Sequence, residues 1–165
     1  MIVILMGVSG VGKTTVGELL AARTGWELLD ADAFHPQSNI DKMRSGIPLT
    51  DDDRWPWLDR LNAVLREKEQ RGDSAILACS ALKQRYRDRL AQGLANVRWV
   101  HLTGDFDLIK QRIEARKGHY MTAKLLESQF AALEPPADAL VLDVALDPAS
   151  LSESIVRRLG LQAAV

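Results

Sequence analysis

Gly7-Val8-Ser9-Gly10-Val11-Gly12-Lys13-Thr14 stands directly behind the apolar run Ile2 to Met6 and directly ahead of a segment with helical spacing. Strand, glycine loop and helix in that order form the context in which the pattern G-x-x-x-x-G-K-[ST] binds phosphate. Glycines let the backbone curl so that successive N–H groups converge on phosphate oxygens, and the positive end of the next helix faces the same anion. Gly7, Val8, Ser9, Gly10, Val11, Gly12, Lys13, Thr14 and Thr15 are therefore the expected nucleotide contacts. Lys13 is placed to reach the β and γ phosphates of ATP, and Thr14 to give its hydroxyl to Mg²⁺.

Outward from this loop, short apolar runs alternate with longer helical segments. The runs are Ile2 to Met6, Trp26 to Asp30, Ala75 to Cys79, Arg98 to Leu102 and Leu140 to Val144. That alternation predicts an α/β three-layer sandwich, a five-stranded parallel sheet with helices on both faces. Helices are expected at Lys13 to Thr24 with Gly25 as its stop, Asp53 to Gln70, Ser80 to Leu90 with Ser80 as N-cap, Asp105 to Arg116, and Pro148 to Leu159.

The 165 residues suit a single domain, 1–165. Lys and Arg total 21 against 22 Asp and Glu, so the net charge of -1 offers no general attraction for nucleic acid or membrane. One cysteine, Cys79, leaves no intramolecular disulfide to make, and the N-terminal apolar run is too short for a signal peptide or a membrane span. The expected location is cytoplasmic.

In parallel sheets of this kind ligands gather beyond the carboxyl ends of the strands. Asp30 and Asp32 follow the second strand, two apart, and in continued strand geometry share one face. One suits a Mg²⁺ anchor and the other a base for an attacking hydroxyl, although Asp30 also fits as the cap of a short helix. The polar segment from Phe34 to Gly46 is dense enough in hydrogen-bonding groups to wall a small-molecule site. Within it, His35 fits either a substrate contact or a structural turn; Lys42 and Arg44 fit either a substrate carboxylate or solvated helix charges. Asp51 to Asp53 read as a loop and helix N-terminus. Lys83 and Arg87, four apart, are expected on one helical face, where they suit an anionic substrate or simply a charged surface. Arg112 and Arg116 precede a glycine-containing loop; they fit a lid that covers the transferring phosphoryl group, or an ordinary basic helix end. Cys79 reads as a packing residue.

Several of these segments together resemble the gluconokinase family. They are Gly7 to Thr14, Leu29-Asp30-Ala31-Asp32-Ala33-Phe34-His35-Pro36, Asn39 to Met43, Pro48 to Leu58, Cys79 to Lys83, and Arg116-Lys117-Gly118-His119-Tyr120-Met121. The likeness runs from near residue 1 to about Pro135. It implies a nucleoside-monophosphate-kinase-like fold similar to shikimate kinase, with phosphorylation of D-gluconate by ATP at its 6-hydroxyl. It further implies metal support from Asp30, a substrate hydroxyl on Asp32, a lid arginine at Arg116, and a sugar-acid site lined by His35, Lys83 and Arg87, with His119 in the lid motif. A substrate segment near 34–60, a lid near 112–130 and a homodimer belong to the same picture. Thr122 departs from it, standing where many relatives have proline, and the stretch from Leu140 to Asp147 is unusually apolar.

Overall fold

A computed structural model describes residues 1–116 and 122–164. Strand β1, Ile2–Met6, lies at the centre of a five-stranded sheet, between β3, Ala75–Ala78, and β4, Val97–Thr103. Strands β2, Glu27–Asp30, and β5, Leu140–Asp143, form the edges, giving the order β2-β3-β1-β4-β5 with every pairing parallel. The expected sheet is present, and its strand ends shift by no more than a residue.

Alternation along β1 sorts the core into two halves. Val3 and Leu5 pack with Val16, Leu20, Ile109, Leu151 and Ile155 on one face, while Ile2, Ile4 and Met6 pack with Leu58, Leu61, Leu65 and Leu90 on the other. The first group comes from helices α1, Lys13–Thr24, α5, Phe106–Glu114, and α7, Pro148–Leu159. The second group comes from α3, Asp51–Gln70, and α4, Gln84–Leu90. Both faces of the sheet are covered, as a strand apolar at every position requires. Burying each such side chain is worth about 1.5–3 kcal/mol.

Four local expectations change. Helix α3 starts two residues earlier than its apolar spacing suggests. Thr50 caps it by accepting from the Asp53 N–H while the Asp53 carboxylate takes the Thr50 N–H, a reciprocal capping box. Helix α4 starts at Gln84 rather than Ser80, because Cys79 to Lys83 bracket the phosphate loop instead: the Ser80 carbonyl accepts from the Gly7 N–H, and Ala81 takes a positive φ of 45°. The polar segment after Pro36 is helix α2, Gln37–Arg44, whose one fully buried residue is Asn39. A further helix, α6, Ala123–Ala132, is capped by Thr122, its hydroxyl accepting from the Leu125 N–H. Among the described residues no helix is long and apolar enough to cross a membrane.

Sheet register positions the chemistry. Ala78 pairs with Leu5 on one side and Asp30 on the other, so the phosphate loop, Cys79 and the Asp30-Ala31-Asp32 turn leave the sheet together at its carboxyl edge.

Candidate active site

The phosphate loop is shaped by glycine where nothing else fits. Gly7 has φ 148°, and a Cβ there lies 2.5 Å from the Leu102 carbonyl oxygen; Gly12, at φ 92°, is the N-cap of α1. Val8 and Val11 send their side chains into the core, which pins the loop with its remaining backbone facing outward. Lys13 Nζ donates to the carbonyls of Gly7 and Val8 at 2.9 and 3.1 Å. Burial pushes the Lys13 ammonium down from its ordinary value, and the carboxylates Asp32 and Asp30 pull it back up. Ser9, Gly10, Gly12, Lys13, Thr14 and Thr15 line one wall of a cavity of about 160 Å³; Asp30, Asp32, Cys79, Ser80 and Arg116 line the rest. Cys79 is buried and its thiol is pushed up to about 12, first by burial, so it packs and does not ionise.

Asp30 and Asp32 reach this cavity by a route the spacing does not reveal. Residues Ala31–Phe34 form a 3-10 turn, and Asp30 caps it by accepting from the Asp32 N–H at 3.0 Å. The two carboxylates therefore converge through a turn and not along a continued strand, and capping and site lining coexist in Asp30. The Asp32 side chain is 79% exposed at the mouth of the cleft; desolvation by the surrounding protein, then the neighbouring Asp30 charge, raise it above the ordinary carboxylate value, while Lys13 opposes them. A carboxylate tuned in this direction is a better proton acceptor than an ordinary one.

A second cavity adjoins the first. Its walls are Asp32, His35, Met43, Ile47, Leu49, Arg54, Trp57, Leu125, Ser128 and Gln129, and it continues into a pocket of about 300 Å³ reached by Lys83, Tyr86 and Arg54. His35 is stacked on Trp57, ring centroids 4.0 Å apart, and Trp57 Nε1 is fixed by the Ala31 carbonyl at 2.8 Å. Asn39 Nδ2 donates both to His35 Nδ1, 3.1 Å, and to the Asp53 carbonyl, 2.9 Å. Its bond to a carbonyl fixes which end of the amide is nitrogen, and that makes His35 Nδ1 an acceptor with its proton on Nε2. His35 Nε2 is 3.9 Å from Asp32 Oδ1. Burial, and secondarily Arg54, bring His35 down to about 4, so the ring is a neutral donor in the physiological range.

Arg54 is the cation that sequence reasoning missed. It follows the capping box on the first turn of α3, and Nη1 donates to the Leu49 carbonyl and to Tyr86 Oη at 2.8 and 3.2 Å. Tyr86 Oη donates in turn to Asp51 Oδ1. The available signal was position: the first turn of a helix whose N-terminus approaches the strand ends.

Other candidate residues lie elsewhere. Arg87 is buried and spends its guanidinium on the carbonyls of Ala81 and Glu134 and on Gln84 Oε1, so it ties loops together and does not line either cavity; nor does it share a helical face with Lys83, which is the N-cap of α4. Lys42 is held by both carboxylate oxygens of Asp53 at 2.9 Å, a helix-to-helix clasp and not a substrate contact. Arg44 borders an outer pocket that shares Met43, Gly46, Pro48, Leu125 and Ser128 with the second cavity and lies towards Lys124. Arg112 donates to the Val144 carbonyl at 2.7 Å and does not reach the phosphate cavity. His119 lies outside the described residues, as does the rest of the stretch from 117 to 121, within the segment expected to form a lid.

A family model described as an AAA domain matches residues 2–136. The thermosensitive gluconokinase of Escherichia coli K12 is 44% identical over 154 residues, covering 91% of this chain and 82% of that protein. The chain belongs to the gluconokinase family. The fold agrees: a gluconokinase from Sinorhizobium meliloti 1021 superposes with a TM-score of 0.84 at 39% identity, covering 96% of this chain and 90% of that one. An unliganded sugar kinase from Janibacter sp. HTCC2649 gives 0.90 at 46% identity, covering 97% and 94%. The kinase class read from Gly7 to Thr14 agrees with these relatives.

Proposed function

We propose that this gluconokinase-family protein transfers the terminal phosphoryl group of ATP to the 6-hydroxyl of D-gluconate, giving 6-phospho-D-gluconate and ADP. One observation carries the reading: Asp32 lines both the phosphate cavity, with Lys13, Thr14 and Arg116, and the adjoining cavity, with His35 and Arg54. A base standing between a donor site and a cation-bearing acceptor site is the arrangement that phosphoryl transfer to a hydroxyl acid needs.

Asp32 accepts the proton of the attacking hydroxyl, and His35 Nε2–H orients that hydroxyl or its neighbour. Lys13 and Arg116 neutralise charge on the transferring group. Arg54 and Lys83 read the C1 carboxylate; a neutral sugar offers these cations no charge to bind and is rejected for that reason. The Thr14 hydroxyl and Asp30, whose second carboxylate oxygen is not used in capping, are oxygen donors suited to Mg²⁺. Among the described residues no cluster of three or more His, Cys, Asp or Glu side chains forms, which suits an ion held largely by phosphates and water. The ion, when bound, offsets phosphate charge. Closure of a lid near 112–130 and assembly as a cytoplasmic homodimer complete the proposal.

The test is ADP release with ATP and Mg²⁺ across a panel of acids. Gluconate raises the rate by about 100-fold or more over no acceptor, as positioning of a hydroxyl against the phosphoryl group requires. Equal rates with and without gluconate overturn the reading, and a preference for shikimate replaces the acceptor while keeping the chemistry.

A further inference from the structure

Ser9 is the phosphate-loop residue that borders both the phosphate cavity and the acceptor cavity. Its backbone N–H, one of the loop donors, is already engaged. It donates to Gln129 Oε1 at 2.7 Å, and Gln129 Nε2 donates back to Ser9 Oγ at 3.2 Å. The pair joins residues 120 apart in sequence and fixes α6 against the loop. Gln129 also lines the acceptor cavity on both of its sides, beside Arg54, Trp57 and Ser80.

We propose that Gln129 is a displaceable plug on the phosphate loop: its carboxamide holds the Ser9 N–H until the terminal phosphoryl group of ATP takes that donor, whereupon the side chain turns into the acceptor cavity. The position argues for the terminal group in particular, because Ser9 stands at the boundary where the phosphoryl group passes from donor to acceptor. The chemistry argues for displacement, because a phosphate oxygen is a charged acceptor and outcompetes a neutral carboxamide for the same N–H. ADP has no group to place at that boundary and leaves the plug closed. Gln129 therefore acts through Ser9 as a positioning residue and takes no part in bond making.

The proposal rests on the donor half of the proposed function, and its test needs nucleotide alone. Affinities for ADP and for a non-hydrolysable ATP analogue, both with Mg²⁺, are compared in the wild type, Gln129→Leu and Gln129→Glu by calorimetry. In Gln129→Leu the analogue binds about five-fold more tightly while ADP is unchanged, since one hydrogen bond no longer has to be exchanged. In Gln129→Glu a carboxylate holds the N–H and repels phosphate, so the analogue weakens about ten-fold or more with a smaller change for ADP. Parallel shifts for the two nucleotides in both variants, or no shifts, overturn the plug and leave Gln129 as a strut. Gluconate-dependent ADP release by the wild type, measured alongside, reports separately on the proposed function.

Discussion

Replacing Asn39 by leucine tests the histidine geometry of the acceptor cavity. Asn39 is 2% exposed, and leucine keeps its approximate volume while removing both amide donors. His35 Nδ1 then loses its partner outright, and the Asp53 carbonyl loses one of its bonds. At about 1–3 kcal/mol for a buried group left unsatisfied, the combined cost is about 2–4 kcal/mol. For a chain of this size that lowers the melting temperature by about 4–16 °C. The imidazole responds as well. In the wild type its folded value of about 4 lies below its ordinary 6.5, so the neutral ring contributes stability that is complete above pH 6.5 and is lost as pH falls towards 4. Burial and Arg54 remain and keep the value low, but the Asn39 N–H adds to them by favouring the neutral form; without it the value rises, and the acid limb of kcat/KM moves to higher pH. Calorimetry, a pH–rate profile and long-range nitrogen–proton spectra of His35 read the three effects, with the Nε2–H tautomer dominant before substitution and mixed after. A melting temperature within about 2 °C of the wild type with an unmoved acid limb refutes the assignment.

Other substitutions separate binding from scaffolding. Arg54→Met raises KM for gluconate about 10- to 100-fold with a smaller change in nucleotide affinity, in line with losing one charged hydrogen-bonding partner of a carboxylate; equal losses for both substrates contradict the placement. Lys42→Met leaves KM for gluconate within about two-fold but weakens resistance to acid. The Asp53 carboxyl lies at about 2, held there first by Lys42, so its contribution is present above the ordinary carboxylate range and is lost as pH falls from about 4 through 2; an acid-unfolding curve unchanged by Lys42→Met refutes the clasp. Gly7→Ala drives a methyl to 2.5 Å from a backbone oxygen at a φ that L residues avoid, and destabilises by about 3 kcal/mol or more in chemical denaturation.

What the sequence made legible follows from the range of each interaction. The strand, loop and helix from Ile2 to Thr24 are specified by neighbours in sequence: apolar run, glycines at positive φ, and Gly25 closing the helix at φ 75°. The convergence of Asp30 and Asp32 on that loop follows from parallel pairing of β2 beside β3. Long side chains were harder to read, since their ends are claimed by partners far away. Lys42 pairs across 11 residues, Arg87 reaches across 47 to Glu134, and Gln129 across 120 to Ser9. Spacing on a helix states which cations share a face and says nothing of a carbonyl waiting on another loop. Arg54 was hidden in the opposite sense, inside an acidic run whose capping role masked the one residue beside it that turns inward. Helices α2 and α6 escaped because their apolar stripes are narrow; each buries a single residue completely, Asn39 and Leu126.

In the proposed function Asp32 activates the acceptor hydroxyl at the boundary of two cavities while the phosphate loop holds the donor. Asp32→Asn keeps the size and removes the proton acceptor, so steady-state ADP release in the presence of gluconate, measured beside nucleotide affinity, tests it most directly. Turnover is expected to fall by about 10²- to 10⁴-fold with nucleotide affinity nearly unchanged. Turnover close to that of the wild type in a variant that still binds nucleotide contradicts it.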